Sequence, residues 1–424
     1  MFAGLGRAPA VGALLAGVGG PVPGLGGRAA AGLFVLAAAA GMVCGCTPRA
    51  AHVAASEASE ASASAARGST PAEASPRPPG PSVNVYAHIG AGMMNPKWAH
   101  DLYRVYVPNS LSNTVTEINP HTYRVIRTFA VGGQPNHITP SWDGSVLWVN
   151  NTDGYTLTPI SPRTGQPGRP VPVADPYNLY FTPDGRTAMV VAEALDRIDF
   201  RNPHTMRLRA SMPVPCLGVN HLDFTADGRH AVASCEFSAK LLWIDIPARK
   251  VEKTLTLGKA MSAPMTAPPR GYSMPQDVRL SADGTIFYVA DMAANGIWLI
   301  NAHRFTVIRF IRTGAGTHGF LVSWDGKYLY ISNRGEGSIS VLDFATNELV
   351  HKWWIPGGGS PDMGGISPDG TVMWWGGRYN GVVYAMSTRS GRLLATIPVG
   401  AGPHGVCVFP QPGRYSLGHT GNFR

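Results

Sequence analysis

The 424-residue chain carries 35 Lys and Arg against 26 Asp and Glu, a formal net charge of +9, with 44% hydrophobic residues, 51 glycines and 36 prolines. The basic residues are scattered, as at Arg104, Arg124, Arg127, Arg163, Arg169 and Arg186, with no run of five or six. Such a distribution speaks against nucleic acid as a partner and for a solvated cationic surface.

In chain order, residues 29–43 are almost wholly apolar, follow Arg28, and end in Val43-Cys44-Gly45-Cys46. The run is shorter than the roughly 20 residues of a membrane span and suits a secretory h-region. The closing tetrapeptide resembles a bacterial lipobox, with Cys46 as the residue cleaved at and lipidated. Residues 1–45 therefore read as a lipoprotein-type signal peptide, and the expected location is extracytoplasmic, anchored to a membrane of the cell envelope through lipid. Residues 46–82, rich in Ala, Ser, Glu and Pro, cannot bury enough apolar surface to offset chain entropy and read as a disordered tether. Residues 83–424, roughly 340 positions, suffice for one large closed domain and leave no separate catalytic domain.

Within that domain one phrase recurs: a turn residue, one or two polar residues, an apolar stretch, then Asp-Gly eight positions after the turn residue. It runs from Pro135 to Asp143, Pro176 to Asp184, Val219 to Asp227, Pro275 to Asp283, Thr317 to Asp325 and Pro361 to Asp369, and starts again at Pro403. Successive copies are 41, 43, 56, 42, 44 and 42 residues apart, the period of four-stranded propeller blades. After each Asp-Gly comes a β-rich run such as Ile286-Phe287-Tyr288-Val289, a polar turn, a second alternating run such as Leu242-Trp243-Ile244-Asp245, and a third such as Leu393-Leu394-Ala395-Thr396-Ile397. Period-two patterning and Gly/Asp/Asn punctuation predict strands throughout. The first unit, from Arg104, lacks an innermost strand, and the last, Pro403-His404-Gly405-Val406-Cys407-Val408-Phe409, is only an innermost strand. The predicted fold is all-β: a seven-bladed β-propeller with four-stranded blades, its ring closed by the C-terminal strand joining the N-terminal blade.

Leu329-Tyr330-Ile331-Ser332-Asn333, the repeated phrase and the closing Pro403-His404-Gly405-Val406 resemble the YVTN-type β-propeller repeat family, here in a bacterial lipoprotein form. That family is related in fold to haem-d1 and lactonase-type propellers. The resemblance covers roughly residues 84–424 and implies the fold; function has to come from a site.

Innermost strands line the axial channel, so the residues after each turn position point at one mouth. They are Asn136-His137, Tyr177-Asn178, Asn220-His221, Gln276-Asp277, His318-Gly319, Asp362-Met363 and His404-Gly405. Turn geometry does not require histidine there. His137, His221, Asp277, His318, Asp362 and His404 are thus candidate ligands of a transition metal, zinc or copper. His with Asp can equally supply a general base and its orienting partner without metal, and an arrangement of purely structural hydrogen bonds is the third alternative. Because adjacent strand residues face opposite sides, the six divide into His137/His221/Asp277 at the second position and His318/Asp362/His404 at the first.

Loops after the second strand of each blade reach the same mouth and bring Asp291, Asn333, Arg334, Arg378 and Tyr379 as candidate ligand-binding residues. Arg334 and Arg378 suit a carboxylate or phosphate, or an inter-blade ion pair with Asp362. The long interval holds an insertion, 258–274, with Met261, Met265 and Met274, a packed loop by default and a soft-metal site as the alternative. Cys216 precedes an innermost strand and Cys235 ends its hairpin partner, which brings both to one blade edge in an oxidising compartment; bonded and free states both remain open. Cys407 reads as a small apolar residue of the closing strand. Motifs for covalent haem, phosphate loops, zincin helices and nucleophile elbows are missing from the sequence. The combined expectation is an exported, lipid-anchored propeller acting as a binding or accessory protein, its channel mouth taking a metal or small ligand and its partner a small ligand or another envelope protein. A metal-assisted hydrolase or lyase, or a redox enzyme, using the same mouth is the alternative.

Overall fold

A computed structural model describes residues 83–261 and 269–424. The expected signal peptide, Cys46, the tether and Met265 lie outside the described residues. Each Asp-Gly of the repeat closes a hairpin between the two inner strands of a blade. The hydroxyl two residues before the aspartate donates to its carboxylate, from Ser141, Thr182, Thr225, Ser281, Ser323 and Ser367, at 2.5–2.8 Å. The glycine that follows sits at φ of 67 to 75° at all six turns, a region open to glycine at little cost.

Seven four-stranded antiparallel sheets result. Blade 1 joins Arg104–Asn109, Thr114–Asn119 and Arg124–Ala130 to Cys407–Phe409 as its innermost strand. The innermost strands of blades 2 to 7 are Pro135–Pro140, Asn178–Phe181, Val219–Phe224, Pro275–Leu280, Thr317–Val322 and Pro361–Ile366, each followed by three more strands moving outward. The ring is therefore closed by the last strand of the sequence pairing in the first blade, which ties the first and last repeats into one sheet. Innermost strands are buried along their whole length, whereas outermost strands such as Arg124–Ala130 are mostly exposed. The apolar core lies between blades; Val105, Val107 and Ile118 of blade 1 pack on Trp374, Val383 and Ala385 of blade 7.

The strict alternation assumed for the innermost strands does not hold at their first residues. Pairing with the next strand slips between Pro135 and His137, Val219 and Leu222, Pro275 and Val278, Thr317 and Phe320, and Pro361 and Gly364. A bulge re-aims side chains locally, so residues from both positions turn toward the axis.

At the end of the ring carrying the Asp-Gly turns, the flanking segments close the channel. Residues 83–102 lie across it: Tyr86 donates its hydroxyl to Leu280 O (2.7 Å) and Trp98 its Nε1–H to Gln411 O (2.9 Å). Residues 411–424, which the repeat pattern does not cover, turn back inside the ring, with Phe181 N–H donating to Leu417 O (2.9 Å) and His419 N–H to Leu179 O (2.8 Å).

Candidate metal centre

Five imidazoles meet on the axis. His137 of blade 2 has ring centroids of His221 (5.4 Å), His404 (4.7 Å) and His419 (5.1 Å) around it, and His221 lies 4.9 Å from His419. His318 lies 5.7 Å from His404. All five are at most 3% exposed. Two groups have one potential ligand atom per residue within 4.8 Å of one another: His137/His221/His419, and His318/Asp362/His404. A third group, His230/Asp245/Glu252, sits on the outside of blade 4.

The first group is a neutral pocket of imidazoles. Neither ring nitrogen of His137 has a hydrogen-bond partner, and Nε2 of His221 and of His419 is likewise unpartnered. Burial, reinforced by the surrounding histidines, holds His137 and His221 well below the ordinary imidazole pKa. Burial also lowers His419, against the pull of Asp277. The Asn178 amide nitrogen lies 3.0 Å from His221 Nδ1 and 3.1 Å from His419 Nδ1, fixing both rings from behind. Gly405 of the closing strand lies so near that a Cβ there would be 2.2 Å from His137 Nδ1. Tyr177 covers the group on the mouth side, 5.4 Å from His137.

The second group is charged. His318 Nδ1 lies 2.7 Å from Asp362 Oδ1, Arg334 reaches the same oxygen at 3.1 Å, and His404 Nε2 and Arg378 Nε lie 3.6 and 4.0 Å from Oδ2. Burial alone would raise the Asp362 pKa, but His318, Arg334 and His404 hold it well below the usual carboxylate range. His404 Nδ1 sits 3.1 Å from Asn136 O; a carbonyl only accepts, so Nδ1 carries hydrogen. Arg378 also donates to Ser110 Oγ (2.6 Å) and Gly402 O (3.0 Å), clamping blade 7 to blade 1. Across the mouth, burial and Glu236 raise Glu193 well above the ordinary glutamate pKa.

The remaining candidates are engaged elsewhere. Asp277 accepts Val278 N–H (2.9 Å) and Phe320 N–H (3.0 Å) and pairs with Arg279 at 3.3 Å; its Oδ1 stands 3.7 Å behind His419 Nε2. His419 thus occupies the third place beside His137 and His221 that the sequence reading gave to Asp277. Asp291 accepts from Ser273 (2.6 Å), Met274 N–H (2.9 Å) and Trp298 Nε1–H (2.8 Å), organising the loops of its own blade. The Asn333 amide nitrogen donates to Ser338 and Ser340 at 2.9 and 3.0 Å. Tyr379 is 61% exposed, its ring 5.4 Å from the Arg334 guanidinium. Cys216 and Cys235 are disulfide-bonded, and Cys407 is buried with its thiol pKa pushed up by desolvation. Met261 and Met274 pack with Ala293 as a small apolar cluster.

The chain is similar in structure to hydrazine synthase of Kuenenia stuttgartiensis, at 19% sequence identity and TM-score 0.56, over 72% of this chain and 97% of that one. It is also similar to a functionally unknown protein of Desulfotomaculum acetoxidans DSM 771, at 15% identity and TM-score 0.58, over 71% and 98%. At such identities the likeness carries the fold alone. No curated protein matches the sequence. The profile of the YNCE-like β-propellers matches residues 99–204 and 265–414, more than half of the chain, which therefore belongs to the YNCE-like β-propeller family.

Proposed function

We propose that this protein is an exported, lipid-anchored binding or accessory protein of the cell envelope that holds one zinc or copper ion through His137, His221 and His419. The single observation that carries the reading is His137, fully buried with both ring nitrogens unpartnered. An unsatisfied buried polar atom costs about 1–3 kcal/mol, and three imidazoles with an open fourth position suit these ions. The all-imidazole group is favoured over His318/Asp362/His404 because two guanidiniums already face Asp362 and would repel a further cation.

Export and anchoring rest on the apolar run and the lipobox-like residues ending at Cys46.

Elemental analysis of the purified full-length chain tests the reading, with zinc or copper expected at about one per chain. Folded protein that stays metal-free after dialysis against both ions overturns it. The close His318–Asp362 pair favours a second reading, in which this base works beside the metal in a hydrolase or lyase. His318→Ala would then abolish turnover while leaving the metal content intact.

A further inference from the structure

We infer that residues 411–424 form a plug that completes the metal site, so that ion binding and plug seating are one coupled equilibrium. The inference rests on the metal reading above and adds how the site is closed and released. No strand of any blade includes this segment. It runs instead inside the ring against blade 3, where Gly418 at φ +93° makes an isolated antiparallel bridge with Tyr180. A Cβ on Gly418 would lie 2.5 Å from Leu179 O, so the approach depends on glycine. His419 follows in the left-handed region, φ 54°, and is carried between His137 and His221 with only 1% exposure. Its Nε2 makes no hydrogen bond there, the carboxylate of Asp277 standing 3.7 Å away.

The far end of the plug is held separately. Arg424 NH2 donates to both Asp223 oxygens at 3.0 and 2.9 Å, and Asn422 Nδ2 reaches Asp223 Oδ1 at 3.1 Å. Asp223 belongs to blade 4 and stays satisfied by Phe224 N–H (2.8 Å) and Leu280 N–H (2.9 Å) when Arg424 is absent. A segment held by turns and a polar latch, outside every four-stranded sheet, opens at lower free energy than the blades. Because His419 is on that segment, whatever affinity the ion draws from it is returned as plug stability. Seated, the plug blocks the axial passage behind the ion; unseated, it leaves a two-histidine site that binds far more weakly.

Zinc titration with a competing chromophoric chelator and hydrogen exchange of the 411–424 peptide, on the full-length chain, test this. We expect zinc to slow exchange of that peptide at least tenfold in the native protein and not in His419→Ala, whose zinc affinity falls more than 100-fold. Arg424→Gln, which touches no ligand, is expected to speed exchange and weaken zinc about tenfold, the same coupling read from the other side. Zinc binding that is lost in His137→Ala yet unchanged in both His419→Ala and Arg424→Gln overturns the plug and leaves the metal reading standing. A native chain that binds no zinc or copper overturns both.

Discussion

One glycine shows how little slack the axis has. Gly405 is packed on His137, and the missing Cβ is what allows the closing strand to pass. Gly405→Ala is expected to destabilise the protein by about 1–3 kcal/mol through overpacking and to weaken zinc in parallel, read by urea unfolding and chelator competition on the same sample. Asp175 reports on burial instead. Desolvation raises its pKa from 3.8 to about 6, only partly offset by backbone N–H groups of Leu195 and Ala194. The folded state therefore holds this proton more tightly than the unfolded chain, and stability contributed by the protonated form is lost as pH rises from about 4 to about 6. Asp175→Asn removes that loss. Its Tm relative to the native protein should climb across this interval and level off above it; a pH-independent difference would show that Asp175 titrates normally.

Most of the fold was legible in elements, because each Asp-Gly turn is a local structure whose hydroxyl, aspartate and glycine are written within four residues. Ring closure was legible too, since an innermost strand was missing at one end and alone at the other. The site was only half legible. His137 and His221 carry the repeat's own position, whereas His419 lies beyond the last copy in Gly418-His419-Thr420-Gly421, where no periodicity marks a strand. Two glycines around a histidine just past the closing strand were the available signal. Of the two predicted triads, His318/Asp362/His404 comes together and His137/His221/Asp277 loses Asp277 to His419, while slipped pairing at the start of five innermost strands lets residues of both positions face the axis. Blade 4 offers an element-scale test: its disulfide, closing 19 residues, joins the turn before the innermost strand to the end of the next strand, beside Glu236. Constraint of the unfolded chain over such a loop is worth about 3 kcal/mol. Cys216→Ser with Cys235→Ser is expected to lower unfolding stability by about that amount, and reductant to do the same to the native protein only.

At the scale of the whole ring, the donors of the proposed centre come from blade 2, blade 4 and the segment that follows the closing strand, positions 137, 221 and 419. An ion bound there ties together parts of the chain that separate on unfolding, so its binding energy registers as global stability. Zinc at about 100 times its Kd should add roughly 2.7 kcal/mol. For a domain of roughly 340 residues, with an unfolding entropy near 2.1 cal/mol/K per residue, that is about 4 °C in Tm. Calorimetry is expected to show this rise in the native protein, its reversal by chelator, and no rise in His137→Ala with His221→Ala. The outer His230/Asp245/Glu252 group supplies the contrast, since its three ligands come from one blade. A rise that survives loss of His137 and His221 but disappears in His230→Ala would move the metal to the outside of blade 4, and with it the reason for five histidines on the axis.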